Sequence, residues 1–327
     1  MKICSGLAGL ALLATAFTSF TASAQSPSSL SAQPIKIVVA FAPGGGTDLY
    51  ARLISNELAK RGTSIVVENK PGGSGVIAAS TVARAKPDGH TLLFSSLGLL
   101  VSNTVLVDKL PYDPQKELRG VTHIGSQPTI IVARSDAPFK DIRGLVAYAK
   151  EHPEKVNRGS PGAAIITNLA PVAFESKYGF KTTHVPFNGD TPGLTALLGG
   201  QIDIVGTGPS GPMPYIREGR MKLLGVMGDK RLSQFPEVET FKEQGYEFDG
   251  SIWYGLSAPA GTPNEIVKEL NKIFNDVLND PAFRTRAAEM GIEAKGGTPA
   301  EYDAYVRSEA DRWVPQLRKI QQAVSVR

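Results

Sequence analysis

The chain has 327 residues, 42% hydrophobic and 20% charged, which excludes a wholly disordered chain and a polytopic membrane protein. Its net charge of +4 is small for this length, and Lys and Arg form no long run, so the basic footprint of a nucleic-acid binder is absent. One Cys and four His exclude a disulfide framework and a thiolate metal cluster.

The first residues read as a secretory signal. Lys2 supplies a positive start, Leu7 to Phe17 an apolar stretch, and Ala22-Ser23-Ala24 a small-x-small cleavage site before Gln25. The apolar stretch falls short of the roughly 20 residues that a membrane span needs. Residues 1–24 are therefore expected to be removed after Ala24, taking Cys4 with them and leaving an exported, periplasmic chain. About 300 mature residues is where single cores stop growing, so two domains are expected. Residues 25–33 are polar and Ser-rich, a leader to the fold.

From there short β-branched runs alternate with helical patterns. Strands are expected at Ile35 to Phe41, Ser64 to Glu68, Thr91 to Ser95, Thr129 to Ala133, Thr183 to Phe187, Ile202 to Val205 and Lys222 to Val226. Helices are expected near 48–61, 76–85, 141–151, 165–177 and 191–198. This rhythm predicts an α/β fold built of βαβ units with mainly parallel sheets. The last third is mostly helical. Thr262-Pro263-Asn264-Glu265 and Thr298-Pro299-Ala300-Glu301 both have the spacing of a capping box. Ile266, Leu270, Ile273, Phe274 and Val277 recur at helical spacing, as do Tyr302, Tyr305, Trp313, Leu317 and Ile320, and both sets predict core-facing stripes.

Three glycine turns follow strands. Pro43-Gly44-Gly45-Gly46-Thr47-Asp48 precedes a helix, where exposed N–H groups and the dipole end could hold an anion, with Thr47 or Asp48 as the alternative N-cap of a plain turn. Lys70 to Gly75, with Ser74, follows the second strand, and Ser95 ends the third. Carboxyl ends of parallel strands are where ligands bind. Gly159-Ser160-Pro161-Gly162-Ala163 is the third turn. Gly206 to Gly211 matches a dinucleotide glycine pattern, but Pro209, Pro212 and Pro214 remove donors and leave no room for a crossover helix. Catalytic constellations are missing: no Ser lies in G-x-S-x-G, and no two His stand four apart. His184 is expected to be structural. Asp203, among apolar residues of a strand, is a candidate site residue because an unpaired carboxylate there is costly.

Four segments together carry a family resemblance: PIKIVVAFAPGGGTDLYAR (34–52), VVENKPGGSGVIAA (66–79), HVPFNGDTPGLTALLGGQIDI (184–204) and WYGLSAPAGTP (253–263). In order and spacing the chain resembles the Bug family (Bordetella uptake gene, TctC-like), periplasmic substrate-binding proteins of tripartite tricarboxylate transporters. The resemblance implies a two-lobed Venus flytrap with a carboxylated ligand in the cleft. The turns matching Gly44 to Asp48 and Ser160 to Ala164 would hold the carboxylate through amides, hydroxyls and waters. Two departures stand out. Ala164, Ile165 and Asn168 replace a Gly, Ser and His common in the family, and Phe187 and Asn188 replace a Tyr and a basic residue.

The expected ligand contacts are thus Pro43, Gly44, Gly45, Gly46, Thr47, Asp48, Ser74, Ser95, Ser160, Gly162, Ala163, Ala164, Phe187, Asn188 and Asp203, with no catalytic residue, metal or cofactor. Lobe one is expected at 30–124 plus 228–327 and lobe two at 125–227. The partners would be a small carboxylated ligand and the permease subunits of a tripartite tricarboxylate transporter, or a membrane sensor, with the chain a monomer. Ile165 and Phe187 would favour a monocarboxylate with an apolar body. A periplasmic α/β enzyme is the alternative class.

Overall fold

Five residues, Ile35–Val39 (β1), bury every side chain except that of Lys36, as a strand covered on both faces must. The computed structural model describes Leu30 and residues 33–325, so the signal peptide and its cleavage site lie outside the described residues. The remaining strands are Ile65–Asn69 (β2), Thr91–Ser95 (β3), Leu118–Gln127 (β4), Thr129–Arg134 (β5), Asn157–Ser160 (β6), Thr183–Pro186 (β7), Ile204–Thr207 (β8), Met221–Met227 (β9), Ile252–Pro259 (β10) and Glu293–Ala294 (β11). They form two sheets, in the orders β11-β4-β10-β3-β1-β2 and β7-β6-β8-β5-β9. Helices pack against both, giving a two-lobed α/β fold.

The sheets are mixed and not mainly parallel. β1 is parallel to β2 and β3, and β6 to β7 and β8, but β10 runs antiparallel to β3 and β4, and β5 runs antiparallel to β8 and β9. The reason is connectivity. The chain leaves the first sheet along β4, turns over Pro128 into β5, and returns through β9 and β10. An excursion that goes out and comes back must lay strands in opposite directions.

The expected lobe boundary at 124/125 falls inside β4, which continues to Gln127. The expected boundary at 227/228 also shifts, because the segment after β9 stays on the second sheet. Phe241 packs edge-on against Phe174, and the Gln244 side chain accepts from the Ile142 N–H at 2.8 Å and donates to Leu224 O at 2.9 Å.

In helix Asn264–Leu278, Leu270, Phe274 and Val277 are fully buried, with Ile266 and Ile273 packed beside them. Tyr302, Trp313 and Leu317 of helix Pro299–Ser325 are buried likewise. The two capping boxes differ. At 298 the box forms: Thr298 N–H donates to Glu301 at 2.7 Å and Glu301 N–H to Thr298 Oγ1 at 3.2 Å. At 262 the helix starts one residue later, and the buried Thr262 Oγ1 has no partner. Thr298→Ala should therefore lower unfolding free energy by about 1 kcal/mol, the usual worth of an N-cap. Thr262→Val should lower it little or not at all. Urea melts of both variants test this, and equal losses would refute the distinction.

Candidate functional site

The carboxyl ends of the parallel strands in the two sheets face one another, and between them lies a cavity of about 450 Å³. The first lobe contributes Ala40 and Phe41 after β1 and the turn Gly72-Gly73-Ser74-Gly75 after β2. The second contributes Pro161, Gly162 and Ala163 after β6, then Pro186, Phe187, Asn188 and Pro192 around the end of β7. The lining holds no charged side chain, and Ser74 and Asn188 are its polar ones. The rest of the lining is glycine, alanine and proline together with Phe41 and Phe187.

The turn at 72–75 is unusual backbone. All four residues have positive φ, including Ser74 at 51°, a conformation a non-glycine residue rarely adopts. A Cβ on Gly75 would collide with Leu99 and lie 3.0 Å from Ala40. Asn103, buried, secures the turn by donating to Ser74 O at 3.3 Å.

The turn at 161–163 is secured from below. Ala163 O accepts from Asn168 Nδ2 at 2.6 Å, and Asn168 Oδ1 accepts from Arg158 Nη1 at 2.8 Å. Arg158, 1% exposed, also donates Nε to Glu175 Oε1 and Thr182 Oγ1, each at 3.0 Å. Ser160 Oγ bonds Gly162 O at 2.9 Å and His184 Nε2 at 2.7 Å. Burial, reinforced by the charge of Arg158, lowers the His184 pKa to about 4, so its ring stays neutral and structural at ordinary pH. Asn168, one of the departures from the family pattern, thus links a buried ion pair to the cavity wall.

Of the expected contacts, the cavity brings together Ser74, Gly162, Ala163, Phe187 and Asn188. Ser160 and Ala164 are buried just behind it. Pro43 to Asp48 do not line it. Gly44 N–H is used by Asp48 at 2.9 Å, and Asp48 also accepts from Arg52 and Asn69; these bonds hold its pKa below the usual carboxylate range although burial opposes them. Neither Thr47 nor Asp48 caps the helix; Gly45 occupies the N-cap. Across the lobes the Gly46 amide lies close enough to Asp190 to steady its carboxylate, and Asp190 is not among the expected contacts.

Three expectations are corrected. Ser95 is wholly buried in the first lobe, bonded to Tyr302 at 2.8 Å and Ser257 at 3.0 Å. Asp203 precedes β8 at the end of the second sheet opposite the cavity, where it accepts from Asn157 N–H at 2.8 Å and pairs with Arg134 at 3.2 Å. Its carboxylate is compensated locally and has no need of a ligand. Ile165 likewise leaves the cavity: it caps helix Ile166–Tyr178, and its side chain packs against Gly98 of the first lobe. The cavity residues Ala40, Phe41, Pro161 and Pro192 were missed as contacts, since an isolated small or apolar residue carries no chemical signal.

The lobes meet beside the cavity through Ala42 N–H to Asn188 O at 3.4 Å and Thr191 Oγ1 to Pro43 O at 3.1 Å. Two α/β lobes joined by crossing strands, with a cavity of inward-facing turns between them, define a periplasmic-binding-protein fold. Residues 50–322 match the model of the TctC family, the tripartite tricarboxylate transporter family receptors, and the chain belongs to that family. A UPF0065 protein of Bordetella bronchiseptica is 33% identical over 297 residues, 90% of this chain and 87% of that one. MatC of Rhodopseudomonas palustris, solved with bound malate, superposes with a TM-score of 0.81 at 34% identity, over 87% of this chain and 98% of its own. An R. palustris protein with adipate gives 0.84 at 29% identity, over 86% and 95%. The family is one of transporter receptors and not of enzymes. No helix among the described residues is long and apolar enough to cross a membrane.

Proposed function

We propose that the protein is a periplasmic receptor that captures a small carboxylate between its lobes and delivers it to the membrane permease subunits of a tripartite tricarboxylate transporter. The observation that carries this reading is the cavity itself. Glycine turns from both lobes converge there and the lining holds no acidic or basic side chain, so an anion meets backbone dipoles. Its volume suits a small organic acid with bridging waters. Two relatives solved with malate and adipate support the same ligand class. Ser74, Gly162, Ala163 and Asn188 are the proposed polar contacts, and the connections between β4 and β5 and between β9 and β10 the proposed hinge.

Phe41 and Phe187 give the cavity two aromatic walls, each able to contribute about 25 cal/mol per Å² of ligand surface buried. This favours a monocarboxylate with an apolar or aromatic body. The test is calorimetric titration of the mature chain, beginning at Gln25, against citrate, succinate, glutamate, benzoate and nicotinate. Binding of benzoate or nicotinate ahead of citrate is expected. Tight citrate binding with no aromatic binding overturns the preference, and heat from none of these acids overturns the carboxylate reading.

A further inference from the structure

The anion that the turn at 43–48 attracts is supplied by the protein itself. Asp190 opens helix Asp190–Leu198 of the second lobe, and its carboxylate accepts from Thr207 Oγ1 at 2.6 Å and is steadied by the nearby Gly46 amide of the first lobe. A Cβ on Gly45 would lie 3.2 Å from Asp190 Oδ2, so the carboxylate rests against the turn's backbone. Gly46 is the first residue of a 15-residue helix, where N–H groups lack intrahelical partners and the dipole favours negative charge. Asp190 has no ion pair with a cation among the described residues, and burial raises its pKa. Among the described residues the hydrogen bond to its side chain comes from the Thr207 hydroxyl. The flanking bonds at Asn188 and Thr191 hold the contact shut on both sides. Ser210 Oγ, buried and without a partner, lies at the same helix start, 2.5 Å from where a Gly46 Cβ would stand.

The contact adjoins the cavity, since Phe41, Asn188 and Pro192 belong to the lining and Ala42 to Gly46 and Gly189 to Thr191 form the seam next to it. Resting on the carboxylate reading above, we infer that Asp190 is a specificity-determining residue. It fills the helix start that would otherwise receive a carboxylate, and it confines the cavity to ligands charged at one end and apolar at the other. A second ligand carboxylate reaching this end would meet Asp190 as a like charge without a cation between them, an arrangement that strongly disfavours the wrong partner.

Hexanoate and adipate have the same chain and differ by one terminal carboxylate, so they isolate the effect. The wild type should bind hexanoate more tightly than adipate. In Asp190→Ala, the Thr207 hydroxyl is released and the helix start at Gly46 is uncovered, and adipate affinity relative to hexanoate should rise by about tenfold or more. Independently of any ligand, hydrogen exchange at the Gly46 amide should be faster in Asp190→Ala than in wild type, because that amide has no other partner. An unchanged adipate-to-hexanoate ratio, or an unchanged Gly46 exchange rate, overturns the inference. If the wild type binds neither these acids nor the five above, the carboxylate reading has failed, and the Gly46 rate still decides whether Asp190 fills the helix start.

Discussion

Glu175→Leu should destabilise the protein by about 3–5 kcal/mol, the loss expected when one partner of a buried ion pair is removed and the other stays buried. Arg158 is 1% exposed and sits on β6, with its guanidinium buried against Glu175, Thr182 and Asn168. Desolvation already lowers its pKa despite the attraction of Glu175, so the charge is held against a cost even in the intact pair. With Glu175 gone, Thr182 and Asn168 are left to solvate it, two neutral acceptors for a full charge. The double variant Arg158→Met/Glu175→Leu should recover most of the loss, because a matched apolar pair leaves nothing uncompensated. Urea denaturation of the single and double variants is the measurement. A single-variant loss below about 1 kcal/mol would show that water reaches the site and the pair is only a surface bridge.

This network also marks the limit of what the sequence made legible. The β-branched runs of β1, β2, β3, β5 and β9 were visible because continuous apolar strands are a strong local pattern. β4 was missed because LRGVTHIGSQ mixes Gly, His and Gln into a buried strand, and its partner β10 (IWYGLSAP) contains a glycine and ends in proline. Both depend on tertiary contacts: Tyr302 packs where a Gly255 Cβ would be, and Gln127 donates to Tyr254 at 2.6 Å. The glycine turns after β2 and β6 announced the cavity through their backbone demands. The turn at 43–48 announced an anion site equally clearly, but nothing local to it could say that the anion is Asp190, 142 positions after Asp48 in the chain. Asp203 misled for the converse reason. A carboxylate in an apolar strand is a costly residue, and the partners that remove the cost, Arg134 and Asn157, lie far away in sequence.

Gly162→Val should reduce carboxylate affinity by about a hundredfold while leaving the fold intact. Gly162 is buried at the cavity wall, and a Cβ there would lie 3.3 Å from Ser74 Oγ on the opposite lobe, already a tight approach. The two γ-carbons of valine extend beyond that point. Ser74 cannot easily give way, because its positive-φ conformation is braced by Asn103 and flanked by three glycines. Overpacking of this kind costs roughly 1–3 kcal/mol, and each 1.4 kcal/mol is a factor of about ten in affinity. The cost falls on the meeting of the lobes and hardly at all on either lobe alone, so urea stability should change by less than about 0.5 kcal/mol. Solution scattering supplies the second readout. Wild type at saturating benzoate should be more compact than without it, as hinge closure requires, while Gly162→Val should keep the larger radius of gyration throughout. A variant that binds benzoate as the wild type does, and compacts equally, would place the ligand somewhere other than between the 72–75 and 161–163 turns.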